Sequence, residues 1–100
     1  MIFSGRVAIV TGCSTGLGVQ MAKALASAGA YIVAVARRQN LIDQVAADIA
    51  KEYGVKTLAV RCDITDTQAV ENMVDTVMKE FGRIDILVNN AGTVSAKILN

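Results

Sequence analysis

The stretch that decides the fold is Val7-Ala8-Ile9-Val10-Thr11-Gly12-Cys13-Ser14-Thr15-Gly16-Leu17-Gly18. Its apolar beginning predicts a buried strand, and the residues from Leu17 to Ala28 predict a helix. A glycine-rich turn between a strand and a helix exposes backbone N–H groups at the positive end of the helix dipole. Glycine tolerates φ > 0 and, having no Cβ, lets a phosphate approach the backbone. The stretch therefore predicts the phosphate-binding turn of a dinucleotide site.

Strand and helix patterns alternate along the rest of the chain. The predicted strands are Arg6–Val10, Ala30–Ala36, Lys56–Arg61 and Ile84–Val88. Such alternation predicts an α/β fold, a Rossmann-type parallel sheet with helices on both faces. We expect strand order 3-2-1-4, with the ligand crevice at the carboxyl ends of strands 1 and 4. Residues 93–100 show no clear period, so the fourth strand is expected to be an unprotected apolar edge.

Local signals place the helices that follow the second and third strands. Asn40 is predicted to cap the second helix, and Thr65 with Gln68 fits a capping box that starts the third. In the first helix, Leu17, Met21 and Leu25 share one face. Three methionines at helical spacings are assigned to the core: Met21, Met73 and Met78.

Composition excludes several classes of function. The 100 residues are enough for one domain, and a net charge of +1, spread along the chain, argues against nucleic-acid binding. No apolar run is long enough to span a membrane, and two cysteines without a CxxC motif favour a reducing, cytoplasmic location. The absence of histidine excludes imidazole metal ligands and a Ser/His/Asp triad, and no metal site is predicted.

The glycines at positions 12, 16 and 18 do not form the common dinucleotide motif G-x-G-x-x-G. They do not form a P-loop either, because no Lys-Ser/Thr pair follows the last glycine. Considered alone, the turn is also compatible with a tight strand–helix connection that binds no ligand.

A second motif decides between these alternatives. The pattern Thr11-Gly12-x-x-x-Gly16-Leu17-Gly18, together with Asn89-Asn90-Ala91-Gly92, resembles the short-chain dehydrogenase/reductase family. Asp63 after the third strand and Asp85 before Leu87-Val88 also match the family pattern. The resemblance extends from Gly5 to Gly92, and the sugar-acid and sugar-alcohol dehydrogenases of the family look most similar.

The resemblance implies a role for each matched position. For the pyrophosphate turn it implies Gly12, Gly16, Gly18 and the N–H of Leu17. For the adenosine ribose it implies Ser14 and Thr15, and for the adenine ring Asp63 and Ile64. Beside the ribose of the cofactor it implies Asn90, Ala91 and Gly92, with Asn89 in a structural role. As alternatives, Asp63 is an ordinary turn residue and Asn89-Asn90 a polar strand end.

The end of the second strand discriminates between cofactors. NAD-binding proteins usually place an acidic residue there to bind the ribose 2′-hydroxyl. This chain instead has Val35-Ala36-Arg37-Arg38, and an arginine can pair with a 2′-phosphate. NADP is therefore favoured over NAD, with a solvated basic pair as the alternative reading of Arg37 and Arg38.

No catalytic residue is assigned. The family uses a tyrosine, a lysine four positions later and an upstream serine. Here the two tyrosines, Tyr31 and Tyr53, are followed at that spacing by Val35 and Thr57. Cys13 lies at a helix N-terminus, where a thiol pKa can fall, or is simply a small residue tolerated in the turn.

We therefore expect residues 1–100 to be the NAD(P)-binding portion of a short-chain oxidoreductase truncated after strand 4. Its full-length form is expected to be a homo-oligomer that transfers hydride between NADP(H) and the carbonyl or alcohol of a small molecule. The 100 residues alone are expected to be inactive. The alternative is a non-catalytic nucleotide-binding module. A methyltransferase is less favoured, because Ala36 stands where that class would need an acid.

Overall fold

The computed structural model describes residues 1–91 and 93–99. The strands are β1 (Val7–Thr11), β2 (Tyr31–Ala36), β3 (Thr57–Arg61), β4 (Ile86–Ala91) and β5 (Thr93–Ile98). The helices are α1 (Gly16–Ser27), α2 (Gln39–Tyr53) and α3 (Thr67–Phe81). The described strands form one sheet in the order β3-β2-β1-β4-β5, and β1 to β4 are parallel. The predicted order 3-2-1-4 is confirmed.

Strand β1 lies between β2 and β4, and all five of its residues are buried. Its side chains alternate between two separate cores, as the pleat of a strand requires. Ala8 and Val10 pack on the face of α1 and α2, whereas Val7 and Ile9 pack on the face of α3. A sheet covered on both faces explains why the strands read as continuous apolar runs.

Strand β5 corrects the expectation that β4 is an unprotected edge. It pairs antiparallel with β4, with Ile86 opposite Ile98 and Val88 opposite Ala96. Residues 95–99 are exposed, and Ile98 retains 68% of its accessible surface. The strand is therefore held mainly by backbone pairing, which needs no apolar period and left no pattern to detect.

Helix α1 packs mainly through small residues, and two of the three members of the predicted stripe, Met21 and Leu25, pack against the same core. Its buried positions are Gly18, Ala22 and Ala26, whereas Leu17 is 52% exposed. Small side chains let the helix approach the sheet closely, and Met21 and Leu25 stay half-buried whereas Leu17 does not. The core assignment of the methionines holds for buried Met73 and for half-buried Met21, which packs against the core, but is wrong for Met78, which is 44% exposed.

Both predicted N-caps are wrong. Helix α2 begins at Gln39, after Arg38 in the cap position, so Asn40 lies inside the helix. Helix α3 is capped by Asp66, whose Oδ1 accepts from the N–H groups of Gln68 (3.0 Å) and Ala69 (3.3 Å). An aspartate also adds a negative charge at the positive end of the helix.

The buried carboxylate of Asp85 joins the beginnings of β1 and β4. Its Oδ2 accepts from the backbone N–H of Val7 at 2.9 Å and from Arg83 Nε at 2.8 Å. Its Oδ1 accepts from Arg83 Nη2 at 2.7 Å and from Arg6 Nη1 at 3.3 Å. Asp85 is 1% exposed, so these donors replace the water that the carboxylate loses.

We expect Asp85→Ala to lower the free energy of unfolding by about 3 kcal/mol, because it leaves the buried N–H of Val7 and two guanidinium groups without their acceptor. Urea denaturation measures the change. The control is Asp75→Ala on the exposed face of α3, with an expected change below about 0.5 kcal/mol. Equal stability of the two variants would contradict a structural role for this ion cluster.

Candidate functional site

A cavity of about 430 Å³ opens at the carboxyl ends of β1, β2 and β3. Its lining residues are Gly12, Ser14, Val35, Ala36, Arg37, Arg38, Cys62, Asp63, Ile64 and Thr65. Six predicted site residues therefore meet here: Gly12, Ser14, Arg37, Arg38, Asp63 and Ile64. Thr15, Gly16 and Leu17 lie exposed at the start of α1, outside this lining.

Two glycines of the turn are required by internal packing. A Cβ on Gly18 would lie 2.2 Å from the carbonyl oxygen of Gly12, and one on Gly12 would lie 2.6 Å from that of Asn90. Gly16 differs, because it has a φ of +58° and a Cβ there would meet no atom within 4 Å. The turn is thus closed on its inner side and open on the outer side, where a ligand can approach.

The carboxyl end of β4 is hydrogen-bonded to the glycine turn. The N–H of Asn90 donates to the Thr11 hydroxyl at 2.9 Å, and Asn90 Nδ2 lies 3.5 Å from the carbonyl oxygen of Gly12. The Thr11 hydroxyl in turn lies 3.2 Å from Asn89 Oδ1 and 3.3 Å from the carbonyl oxygen of Val88. The two motifs that are 78 positions apart in sequence therefore form one hydrogen-bonded unit.

Two further predicted site residues, Ala91 and Gly92, follow Asn90 in the sequence. Ala91 is the last residue of β4, and Gly92 lies outside the described residues.

The N-terminus of α1 has no side-chain cap. Thr15 precedes it in an extended conformation, and the first turn carries no acidic residue. Gly16 and Leu17 are exposed. Among the described residues, no side chain accepts from the first N–H groups of this helix, which lie at the positive end of the dipole.

Asp63 is held as a carboxylate at the rim of the cavity. Its Oδ1 accepts from the Thr65 hydroxyl at 2.7 Å and from the Thr65 N–H at 3.0 Å. These bonds, aided by the positive charge of Arg37, hold the pKa of Asp63 below its usual range. Thr65, predicted to cap α3, instead orients this carboxylate.

The hypothesis of an acidic thiol at Cys13 is wrong. The side chain is fully buried, with Sγ 3.8 Å from the carbonyl oxygen of Gly18. Burial raises the pKa of Cys13 to about 11, because a thiolate would lose its solvation. The pKa of Cys62 is also raised, by burial and by the charges of Asp63 and Asp66. Both cysteines are free thiols that stay protonated at neutral pH.

Sequence reasoning missed one basic residue beside this site, outside the residues that line the cavity. Arg61, the last residue of β3, donates from Nε to the carbonyl oxygen of Arg37 at 3.1 Å. The predicted ends of the second and third strands could have revealed it. Because parallel neighbouring strands end at the same edge of the sheet, Arg61 at the end of the third strand comes close to Arg37, which follows the end of the second.

A second, apolar cavity of about 420 Å³ lies beside α3 on the other face of the sheet. Its lining residues are Ile9, Thr11, Ile64, Val70, Met73, Val74, Ile84, Leu87, Asn89 and Leu99.

No helix in the described part of the chain is both long enough and apolar enough to cross a bilayer.

Comparison with known proteins identifies the family. The family model described as short chain dehydrogenase matches residues 6–100. The chain belongs to this family. This chain is 39% identical over 88 residues to a fatty acyl-CoA reductase of Acinetobacter baylyi. That match covers 88% of this chain and 30% of the relative.

Two solved structures superpose closely on this chain. The L-sorbose reductase of Gluconobacter frateurii, complexed with NADPH and L-sorbose, gives a TM-score of 0.87 at 40% identity. An NAD⁺-bound xylitol dehydrogenase gives a TM-score of 0.87 at 34% identity. The matches cover 97% and 93% of this chain but only 37% and 35% of those proteins. The chain thus spans about a third of the length of its relatives.

We expect Gly18→Ala to abolish the turn, because its Cβ would lie 2.2 Å from a backbone oxygen that cannot move aside cheaply. The variant should bind NADPH at least about tenfold more weakly than the unaltered chain, since a displaced backbone no longer presents its N–H groups. Fluorescence titration measures the affinity. The control is Gly54→Ala, which combines a φ of +70° with open space and lies at the end of α2. Equal NADPH affinity in the two variants would contradict the steric argument.

The raised pKa of Cys13 predicts a pH dependence of stability. The thiol titrates near its ordinary value of 9.0 when unfolded and at about 11 when folded, so stability falls as pH rises through this interval. We expect the unaltered chain to lose up to about 2 kcal/mol more than Cys13→Ala between these limits. Urea denaturation of both proteins at about pH 8 and about pH 11 gives the two changes in the free energy of unfolding. Parallel curves for the two proteins would contradict a buried, neutral thiol.

Proposed function

We propose that this chain is the NADP(H)-binding portion of a short-chain oxidoreductase that transfers hydride between the nicotinamide and the carbonyl or alcohol of a small molecule. The observation that carries the proposal is the composition of the first cavity. It joins the glycine turn, an ionised Asp63 and an arginine pair, with no carboxylate at the end of β2.

The fit between this cavity and a dinucleotide supports the proposal. The outer side of the turn is open at Gly16, where a pyrophosphate would accept hydrogen bonds from the N–H groups of α1. Thr65 occupies only Oδ1 of Asp63, which leaves Oδ2 to accept from the adenine amino group. Ile64 would flank the ring, and Ser14 and Thr15 would face the adenosine ribose.

At the other end of the site, Asn90, Ala91 and Gly92 would run beside the second ribose. The hydrogen bonds of Asn90 to Thr11 and Gly12 support this placement, because they bring β4 against the glycine turn.

The preference for NADP over NAD rests on Arg37 and Arg38. Both are exposed at the cavity, where a guanidinium can pair with the 2′-phosphate that distinguishes the two cofactors. An acidic residue, which would repel this phosphate and bind the 2′-hydroxyl of NAD, is absent from this strand end: the last residue of β2 is Ala36.

The nicotinamide supplies the hydride chemistry, and these residues bind and orient it. Proton transfer needs a further group. Tyr31 begins β2 and Tyr53 ends α2, so both lie at the end of the sheet away from the cavity. We therefore propose that residues 1–100 form an incomplete domain, whose proton donor belongs to the remainder of the full protein. A non-catalytic nucleotide-binding module is the second candidate, favoured by the same distance of both tyrosines from the cavity.

The proposal includes a cytoplasmic location, supported by two free cysteines, and a homo-oligomeric full-length form, which the family resemblance suggests.

We expect Arg37→Asp to weaken NADPH binding by more than about tenfold and to leave NADH binding equal or tighter, because the new carboxylate repels the 2′-phosphate and accepts from a 2′-hydroxyl. Side-by-side fluorescence titrations measure both affinities. The control is Lys79→Asp, the same charge reversal on the exposed surface of α3. An unchanged preference would contradict the assignment of NADP. Failure of the unaltered chain to bind either cofactor would contradict the proposed function itself.

A further inference from the structure

We infer that Arg61 is a specificity-determining residue for the 2′-phosphate, acting beside Arg37 and Arg38. The inference rests on the proposed function and adds a residue from a different strand to its cofactor site. It follows from the register of the sheet, one hydrogen bond and the distribution of charge at this corner.

The register brings the three arginines to one edge. Ala36, the last residue of β2, pairs with Arg61, the last residue of β3. The N–H of Cys62 then donates to the carbonyl oxygen of Ala36 at 3.0 Å, which extends the pairing past the strand ends. Arg61 therefore leaves the sheet at the level where Arg37 begins the turn into α2.

A hydrogen bond orients Arg61 toward this turn. Its Nε donates to the carbonyl oxygen of Arg37 at 3.1 Å. The Nη1 and Nη2 groups make no hydrogen bond or ion pair with the described residues, and the side chain is exposed. An arginine held at Nε keeps its two outer nitrogens as a planar fork, the shape that matches a phosphate.

Charge at this corner favours a dianion. Arg37, Arg38 and Arg61 are all exposed cations, and none forms an ion pair within the described part of the chain. The charge of Arg37 acts on Asp63, yet the hydrogen-bonding partner of that carboxylate is Thr65. Three cations therefore lie together at the ends of β2 and β3, a positive charge that a 2′-phosphate would balance and a 2′-hydroxyl would not.

The bond to Arg37 alone suggests a simpler role, in which Arg61 only satisfies a strand-end carbonyl. The two roles predict different outcomes. A strand-end contact whose loss leaves Arg37 in place affects the binding of both dinucleotides equally, because NADP and NAD share every group except the 2′-phosphate. A direct contact with the phosphate supports only NADP.

The test compares Arg61→Gln, Arg61→Lys and the unaltered chain in titrations with NADPH and NADH. We expect Arg61→Gln to weaken NADPH binding about three- to tenfold and to change NADH binding less than about twofold, with a shallower salt dependence for NADPH. Arg61→Lys keeps the charge but loses the planar fork, so its loss should be smaller. Lys79→Gln, which removes one exposed charge from α3, is the control and should leave both affinities unchanged.

Each outcome has a defined meaning. A selective loss of NADPH affinity in Arg61→Gln supports the inference. An equal loss for both dinucleotides, or no loss, overturns it and leaves the proposed function intact if the unaltered chain still binds NADPH. Binding of neither dinucleotide by the unaltered chain overturns both. If Arg61→Gln does not fold, as judged by circular dichroism, Arg61→Lys supports or overturns the inference by the same ratio of affinities.

Discussion

The structure depends on a close approach of three backbone segments at the carboxyl end of β1. Gly12, Gly18 and Asn90 lie so near one another that a Cβ on either glycine would fall within 2.6 Å of a backbone oxygen. This contact fixes the bend of the chain from strand to helix, and the turn stays open on the side of Gly16. The shape of the turn therefore depends on how closely β4 packs against it.

The rest of the fold holds these segments in place. At the opposite end of the same two strands, the buried carboxylate of Asp85 joins β1 to β4. The apolar side chains of β1 pack alternately on α1 with α2 and on α3, which fixes the strand between two cores. Parallel pairing then sets the carboxyl ends of β1, β2 and β3 around one cavity, so that Ser14, Arg37 and Asp63 come together from distant parts of the chain.

Local patterns in the sequence predicted the parts of the structure that depend on local patterns. Apolar runs predicted the four parallel strands, and their alternation with helices predicted the observed strand order. The spacing of the glycines, together with Asn90, predicted the turn. Other features depend on partners that no local pattern records. Strand β5 pairs through its backbone, the thiol of Cys13 has a raised pKa because the fold buries it, and Arg61 reaches Arg37 only through the register of two strands. The cap of α3 is Asp66 and not the predicted Thr65, because the hydroxyl of Thr65 donates to Asp63.

The central claim is that one continuous surface, from the glycine turn to the ends of β2 and β3, binds a dinucleotide. Amide chemical shifts of the ¹⁵N-labelled chain during titration with NADP⁺ test it most directly. The account predicts saturable shifts in Gly12–Gly18, in Arg37 and Arg38, and in Asp63 and Ile64. Shifts confined to the apolar cavity beside α3, or no saturable shifts, would contradict it.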